Sequence, residues 1–346
     1  MSKGGTGRQL RAAIIGAGGI SSNHHDGYLA AGVDVVAICD PVQEALATRA
    51  RAWNVERAYQ DFEAMFAAGG FDVVSIAAPT SVHHPATLAA AAAGVHVLVE
   101  KPMALDLRLA DEMIAACAAA GVVLMVNHQL RSSGPGRKAR ELIDAGVIGN
   151  VTHVRLRQAH DWGGHGVRPS FTTKASAGGG TLLDNGCHLA DLARFFGGSV
   201  REVYARMATL KYPVEVEDTA HVSMVYGDGS LGLIEAAWTA TGWEEGFWVY
   251  GTEGALECTN RYGPQNLRHL YRASPGSDWD RTDLTTYEFT GAHSHTRHVL
   301  AFVAAVLGQA PVPCTGEDGR EAVRLILAAY ASAERNAPVA LADFTG

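Results

Sequence analysis

Short β-branched runs alternate with alanine-rich stretches through the first third of the chain. Ala12–Ile15, Val33–Cys39, Val73–Ala77, Val95–Val99 and Val122–Val126 are almost wholly apolar, as strands covered on both faces must be. Between them Gln43–Ala52, Pro85–Ala93 and Asp106–Ala120 are long and Ala/Leu-rich enough for helices. Pro85 suits the first turn of its helix, where a missing N–H costs nothing. Such a βαβα rhythm requires right-handed crossovers, so the pattern predicts an α/β fold with a doubly wound parallel sheet.

The rhythm changes near residue 131. Ser132–Gly136 is rich in turn formers, a helix follows at about 137–145, and Val151–Ala159 alternates as a half-buried strand does. A helix over about Thr181–Phe196 precedes extended segments at Glu202–Leu210, Thr219–Tyr226, Ser230–Trp238, Phe247–Tyr250, Ala255–Cys258 and Leu267–Arg272. Gly227-Asp228-Gly229 and Gly251–Gly254 lie where hairpin turns belong. The expectation is a Rossmann-type domain over residues 1–130. An α+β domain with a large, mostly antiparallel open sheet follows over 131–346. The last helices, His295–Leu307 and Asp318–Arg335, are expected near the junction. Strands such as Val222–Tyr226 and Leu231–Trp238 carry apolar residues at both alternating positions, which predicts an exposed apolar face and a homodimer or homotetramer built through it.

Composition narrows the function classes. With 346 residues, two domains are expected at about 150 residues each, and 47% hydrophobic against 18% charged residues supplies a core and excludes a disordered chain. The 28 Lys+Arg are outnumbered by 36 Asp+Glu, which argues against a nucleic-acid or anionic-membrane surface. Cys39, Cys117, Cys187, Cys258 and Cys314 stand far apart, without the spacing of a disulfide framework or zinc knuckle. Reduced thiols, no signal-like apolar leader and no run long enough to span a bilayer together predict a cytoplasmic protein.

The chemistry starts at Gly16-Ala17-Gly18-Gly19-Ile20-Ser21, between the first strand and a helix. A tight turn at Gly16, room beside Gly18 and free N–H groups at a helix start are what a pyrophosphate requires. Ser21 replaces the third glycine of the usual fingerprint but is still small. Asp40 ends the second strand 24 residues after Gly16, near the spacing of the acid that binds the adenosine ribose. A carboxylate there, followed by Pro41, favours NAD over NADP, although Arg49 or Arg51 could approach from the next helix. Asp40 could instead be an ordinary turn residue. Ala78-Pro79-Thr80-Ser81-Val82-His83-His84 and Glu100-Lys101-Pro102 follow the next two strands at their carboxyl ends, where ligands bind in such sheets. A solvated loop lysine and surface histidines at a helix start are the neutral alternatives.

In the second domain, Asp184 and His188 lie four residues apart in a predicted helix and share a face. A carboxylate beside an imidazole can orient and strengthen a general base, though such a pair is more often a structural contact. Together these residues resemble the glucose–fructose oxidoreductase/inositol dehydrogenase/rhizopine catabolism (Gfo/Idh/MocA) family. The resemblance runs through the glycine motif, Pro79-Thr80 and His83, Glu100-Lys101-Pro102, and Gly179-Gly180 with Asp184, Gly186, His188 and Asp191. It continues through Tyr250–Gly254 and Gly316–Ser332. Asn127–Arg131 is similar to the family's sixth-strand motif, except that Ser132 stands where an aromatic usually follows the arginine.

The resemblance implies a dehydrogenase with catalytic Lys101, Asp184 and His188. A secondary alcohol would lie between Lys101 and His188: His188 takes the hydroxyl proton, Asp184 holds the ring, Lys101 stabilises the alkoxide, and hydride passes to nicotinamide. It likewise implies cofactor contacts from Gly16, Gly18, Gly19, Ile20, Asp40, Pro79, Thr80, His83, Glu100, Lys101 and Gln129. Asp161 and Trp162, in a Gly-rich loop after Val151–Ala159, suit a neutral sugar or cyclitol, whereas Arg157 and Arg168 nearby could bind an acidic group. A loop tryptophan that merely packs is the plain alternative. The histidine-dense stretches His160–His165 and His293–His298 lack a companion Cys/His set, so no metal is expected. A glycosidase-like enzyme with retained NAD would show no net cofactor turnover, and a non-catalytic NAD-binding regulator would normally lack the Lys/Asp/His set.

Overall fold

The computed structural model describes residues 9–261, 263–272 and 282–346; residues 1–8, part of the N-terminal stretch read above, lie outside them. The first sheet is built from β1 (Arg11–Ile15), β2 (Asp34–Cys39), β3 (Arg57–Tyr59), β4 (Val73–Ile76), β5 (His96–Val99) and β6 (Leu124–Val126). Its order is β3-β2-β1-β4-β5-β6, parallel throughout. The helices between are α1 (Ser21–Ala30), α2 (Gln43–Trp53), α3 (Phe62–Ala68), α4 (Thr80–Ala92) and α5 (Leu107–Ala120). The order reverses between β1 and β4, which puts the crevice of a doubly wound sheet beside the loops after those strands. β1 and β4–β6 are buried almost end to end, which is why they read as nearly continuous apolar runs. Pro85 is not in the first turn: α4 begins five residues earlier, at Thr80, so the proline sits inside the helix.

The second sheet follows α6 (Gly134–Asp144). It comprises β7 (Val151–Ala159), then, after α7 (Lys174–Ala177), α8 (Thr181–Asp184) and α9 (Gly186–Gly197), the strands β8 (Val200–Ala208) to β14. These are β9 (Thr219–Tyr226), β10 (Leu231–Ala237), β11 (Glu244–Gly251), β12 (Gly254–Thr259), β13 (Leu267–Tyr271) and β14 (Asp283–Tyr287). After α10 (Ser294–Val306) and α11 (Gly316–Arg335), β15 (Val339–Ala340) completes a sheet ordered β14-β13-β12-β11-β7-β10-β9-β8-β15. Only β7 and β10 pair in parallel; the other pairs are antiparallel.

One face of this sheet is its core side. Val154, Leu156, Val222, Met224, Ile234, Phe247 and Val249 pack there with Leu189 and Phe196 of α9 and Leu325 of α11. The other face is mixed rather than apolar. It holds Arg155 and Arg157 paired with Glu235, exposed His221 and Ser223, and the aromatics Trp248 and Tyr250. The outward positions of β7 and β9 are largely polar, whereas those of β10 include Leu231 and Leu233, so the expected second apolar face is present only in part.

The chain forms two compact units, and a single cut between residues 130 and 131 does not describe them. The described residues up to Ala104, Arg108–Gln129 and Ala292–Glu317 make the first; Leu105–Leu107, Leu130–Gly291 and Asp318–Gly346 make the second. Helix α10 packs on α1, where a Cβ on Gly27 would meet Val299 at 2.6 Å, and Tyr28, Val299 and Phe302 share the first unit's core.

Candidate functional site

In the first unit the glycine loop leaves β1 through Gly16, whose φ of +107° and contact with Ala77 O exclude any side chain. A Cβ on Gly18 or Gly19 would meet nothing within 4 Å, so the loop keeps open space beside the start of α1. Ser21 closes the turn by donating to Gly18 O at 2.6 Å. Asp40 is bound into the same loop: its Oδ2 accepts from Ala17 N at 2.7 Å and its Oδ1 from Val42 N at 2.8 Å. Of the two candidate arginines only Arg49 arrives, donating to Ala17 O at 3.1 Å and Gly18 O at 3.3 Å, while Arg51 turns back to Ala47 O of its own helix. Gln129 is buried with its Oε1 lacking a protein partner, an acceptor left for a ligand amide. Open glycines, a helix start, a fixed acid and that orphaned oxygen fit a dinucleotide.

Glu100 organises the next corner. Its Oε1 accepts from His24 Nε2 at 2.9 Å and from Asn127, and its Oε2 from the backbone N–H of Lys101 at 3.1 Å. Burial alone would raise this carboxyl; the His24 hydrogen bond and charge, with His295 and Lys101, outweigh it and hold Glu100 at about 2. His24 Nδ1 continues to Ser75 Oγ at 3.0 Å, which also meets Tyr28 OH at 2.9 Å. On α10, burial pushes His295 down to about 4 and His298 to about 3, so both are neutral at pH 7. His298 donates from Nε2 to Val126 O at 2.9 Å.

His83 is buried, with Nδ1 3.0 Å from Pro102 O and Nε2 2.9 Å from Ala78 O. Both ring nitrogens face backbone carbonyls, so His83 ties the loop after β4 to the loop bearing Lys101. His84 meets Glu112 at 2.7 Å. Pro79 and Thr80 form the start of α4.

In the second unit Asp184 ends α8 and His188 sits in the first turn of α9. The expected single helix breaks at Asn185, yet Asn185 keeps helical angles and bonds run from Asp184 N to Gly180 O and from His188 N to Asn185 O. The i,i+4 relation therefore survives. A clamp from the β8–β9 connection holds this run. Glu217 accepts from Gly180 N at 3.1 Å, Leu182 N at 3.0 Å and Tyr330 OH at 2.8 Å, and Glu217 O fills the space a Gly180 side chain would need. Burial raises the Glu217 carboxyl above its ordinary range despite these donors.

Arg131 is engaged within the protein. It grips Asp191 through Nε at 2.7 Å and Nη2 at 2.6 Å, and Asp318 through Nη1 at 3.0 Å, with Arg131 and Asp191 both buried.

The loop after β7 carries the substrate candidates. Tyr212 OH donates to Asp161 O at 2.9 Å, and Asp218 holds Tyr212 by accepting from the N–H groups of Leu210, Lys211 and Tyr212. Arg168 lies over the Trp162 ring at 5.8 Å. Arg157 is removed from contention: it pairs with Glu235 at 3.4 Å and Glu244 at 3.0 Å. Sequence reasoning missed Glu217, Asp218 and His24. An adjacent acidic pair just before a strand, and a histidine one turn into the helix after the glycine loop, were the available signals.

Two family profiles match the chain: an oxidoreductase family with an NAD-binding Rossmann fold over residues 10–128, and the GFO/IDH/MocA C-terminal domain over 137–257. The chain is similar to the 1,5-anhydro-D-fructose reductase of Ensifer adhaerens, with 32% identity covering 89% of this chain and 92% of that one. To the D-glucoside 3-dehydrogenase of Escherichia coli K12 it is 29% identical, over 97% and 99% of the respective chains. The fold is that of a levoglucosan dehydrogenase solved with NADH and levoglucosan, at TM-score 0.88 and 24% identity over 96% and 100% of the two chains. Among the described residues no helix is long and apolar enough to cross a membrane.

Proposed function

Since the chain belongs to the Gfo/Idh/MocA family and is an NAD-binding dehydrogenase acting on CH–OH groups, we propose that it oxidises a secondary hydroxyl of a neutral sugar, cyclitol or related polyol. The observation that carries this reading is the helical run from Thr181 to His188, fixed at its start by Glu217 and bearing an acid and an imidazole one turn apart. A general base needs that rigidity. His188 accepts the hydroxyl proton, Asp184 orients the imidazole, and Lys101, fixed at its backbone by Glu100, stabilises the alkoxide. Gly16, Gly18, Gly19, Ile20, Asp40, Pro79, Thr80 and Gln129 would hold NAD, with Glu100 and His83 positioning the loops around it. Bound NAD supplies the two-electron acceptor.

Asp161 and Trp162 support an uncharged substrate: a carboxylate accepts from hydroxyls, and an indole stacks on the C–H face of a ring. Arg157 is committed to its two glutamates, and Arg168, over the Trp162 ring, is the remaining cation beside this loop. The named relatives act on an anhydrofructose and a glucoside, both uncharged. We further propose a homodimer or homotetramer through the mixed open face of the second sheet, and a cytoplasmic setting in which the five buried, free cysteines stay reduced.

The test is a panel of neutral sugars and inositols with NAD, followed by NADH absorbance. The expected result is net NADH formation from a neutral member, reduced at least about 100-fold in Lys101→Ala and His188→Ala while NAD still binds. Oxidation of acidic or phosphorylated sugars alone, or near-normal turnover in either variant, would overturn the reading.

A further inference from the structure

Trp243, in the connection between β10 and β11, is 55% exposed although it is a tryptophan. Its ring lies flat on His160, centroids 5.1 Å apart and planes 9° from parallel. His160 is buried; its backbone N–H donates to Ala237 O at 2.9 Å, and its ring is held through Nδ1, which accepts from Trp162 N at 3.1 Å. The indole is thus supported on one face and presented to solvent on the other, a surface ordered before any ligand arrives.

Side-chain alternation says which side of the sheet this surface occupies. Val154 and Leu156 point to the core side, so Gln158 and His160 follow them; Phe247 and Val249 do the same, so Glu245 and Trp243 precede them. The bond from Gln158 Nε2 to Glu245 Oε2 at 2.5 Å confirms that the two rows meet there. This is the side covered by α9, the helix of His188, and not the open face. The platform continues inward. Trp162 meets His160 edge-on at 5.1 Å and Trp238 at 5.3 Å, and its Nε1 is buried with no hydrogen-bond partner. Trp162 also holds φ at +57°, uncommon for a bulky side chain and characteristic of functional loops. Fully buried Trp238 also leaves its Nε1 without a partner, so the exposed face of Trp243 is what sets this cluster apart from core. A ring with one apolar C–H face stacks on such a surface.

We propose that Trp243, seated on His160, forms a second sugar subsite, which takes the ring glycosidically attached to the one being oxidised, so that the preferred substrates contain at least two rings. This rests on the neutral-sugar reading above and adds the length of the substrate. Holding the second ring involves no bond-making.

The experiment is calorimetric titration of the NADH-loaded enzyme, which cannot turn over, with matched pairs: glucose and cellobiose, galactose and lactose. Wild type is expected to bind the disaccharide of at least one pair roughly 2- to 10-fold tighter. Trp243→Ala abolishes that preference while leaving monosaccharide affinity, NADH affinity and melting temperature unchanged, and Trp243→Phe keeps part of it. Disaccharides binding no tighter than monosaccharides, neither binding at all, or Trp243→Ala weakening both equally would overturn the subsite. The dehydrogenase reading fails separately, in the turnover panel.

Discussion

Asp40 acts through one carboxylate with two duties. It fixes the glycine loop by accepting from Ala17 and Val42, and in the proposed NAD site it would set a negative charge beside the adenosine ribose. A 2′-phosphate there meets like charge, so kcat/KM for NAD should exceed that for NADP by at least about 10-fold. Asp40→Ala should narrow the gap, and Arg49→Ala should widen it, because Arg49 at Gly18 O is the cation available to a phosphate. Specificity constants for both cofactors check this; a clear NADP preference in wild type would refute it. The place of Asp40 just after the second strand was legible in the sequence; its hold on Ala17 N was not. The commitment of Arg49 rather than Arg51 was not, since it depends on which face of α2 meets the loop. His83 shows the same limit: its type and position suggested a ligand contact, but only the fold reveals two carbonyls facing its two nitrogens.

Among the elements, the turn before α6, helix α9 and helix α11 are pinned together by Arg131, Asp191 and Asp318. Removing one partner of a buried pair strands the other charge, so Asp191→Ala should cost about 3–5 kcal/mol by urea denaturation. Replacing Arg131 and Asp191 together with Met and Leu should restore part of it. A loss below about 1 kcal/mol for Asp191→Ala would show that water reaches Arg131. The motif contained both residues, but chain separation hid their contact. Long elements with strong periodicity were read well: β7 and β9 begin and end where expected. The short β3, α3, β14 and β15 were missed, because segments of two to seven residues carry too little pattern to stand out.

For the molecule as a whole, acid is the expected weakness. His295 and His298 have folded values of about 4 and 3 against an unfolded 6.5, so the unfolded chain binds protons first as pH falls. Their stability contribution is complete above about 6.5 and is lost toward pH 3–4; Glu100, at about 2 against 4.5, adds a further loss below 4.5. His24, Lys101 and His128 share this neighbourhood, and the loss should approach about 1.4 kcal/mol per pH unit for each group in its window. Melting temperatures should therefore drop steadily from pH 6.5 to 4, less steeply in His298→Gln; a flat profile would count against it. Light scattering at micromolar concentration should give a dimer or tetramer, and Trp248→Glu on the open sheet face should shift it toward monomer; a monomeric wild type refutes the assembly. Helix α10 has one further consequence, in the order of events during synthesis. The first unit takes its covering helix from residues 292–317. Until that stretch has left the ribosome, Tyr28 and the α1 face around Gly27 have no Val299 or Phe302 against them. The nucleotide-binding unit, first to be translated, is thus among the last to close, and the nascent chain must keep that apolar face from other partners while the whole second sheet is made.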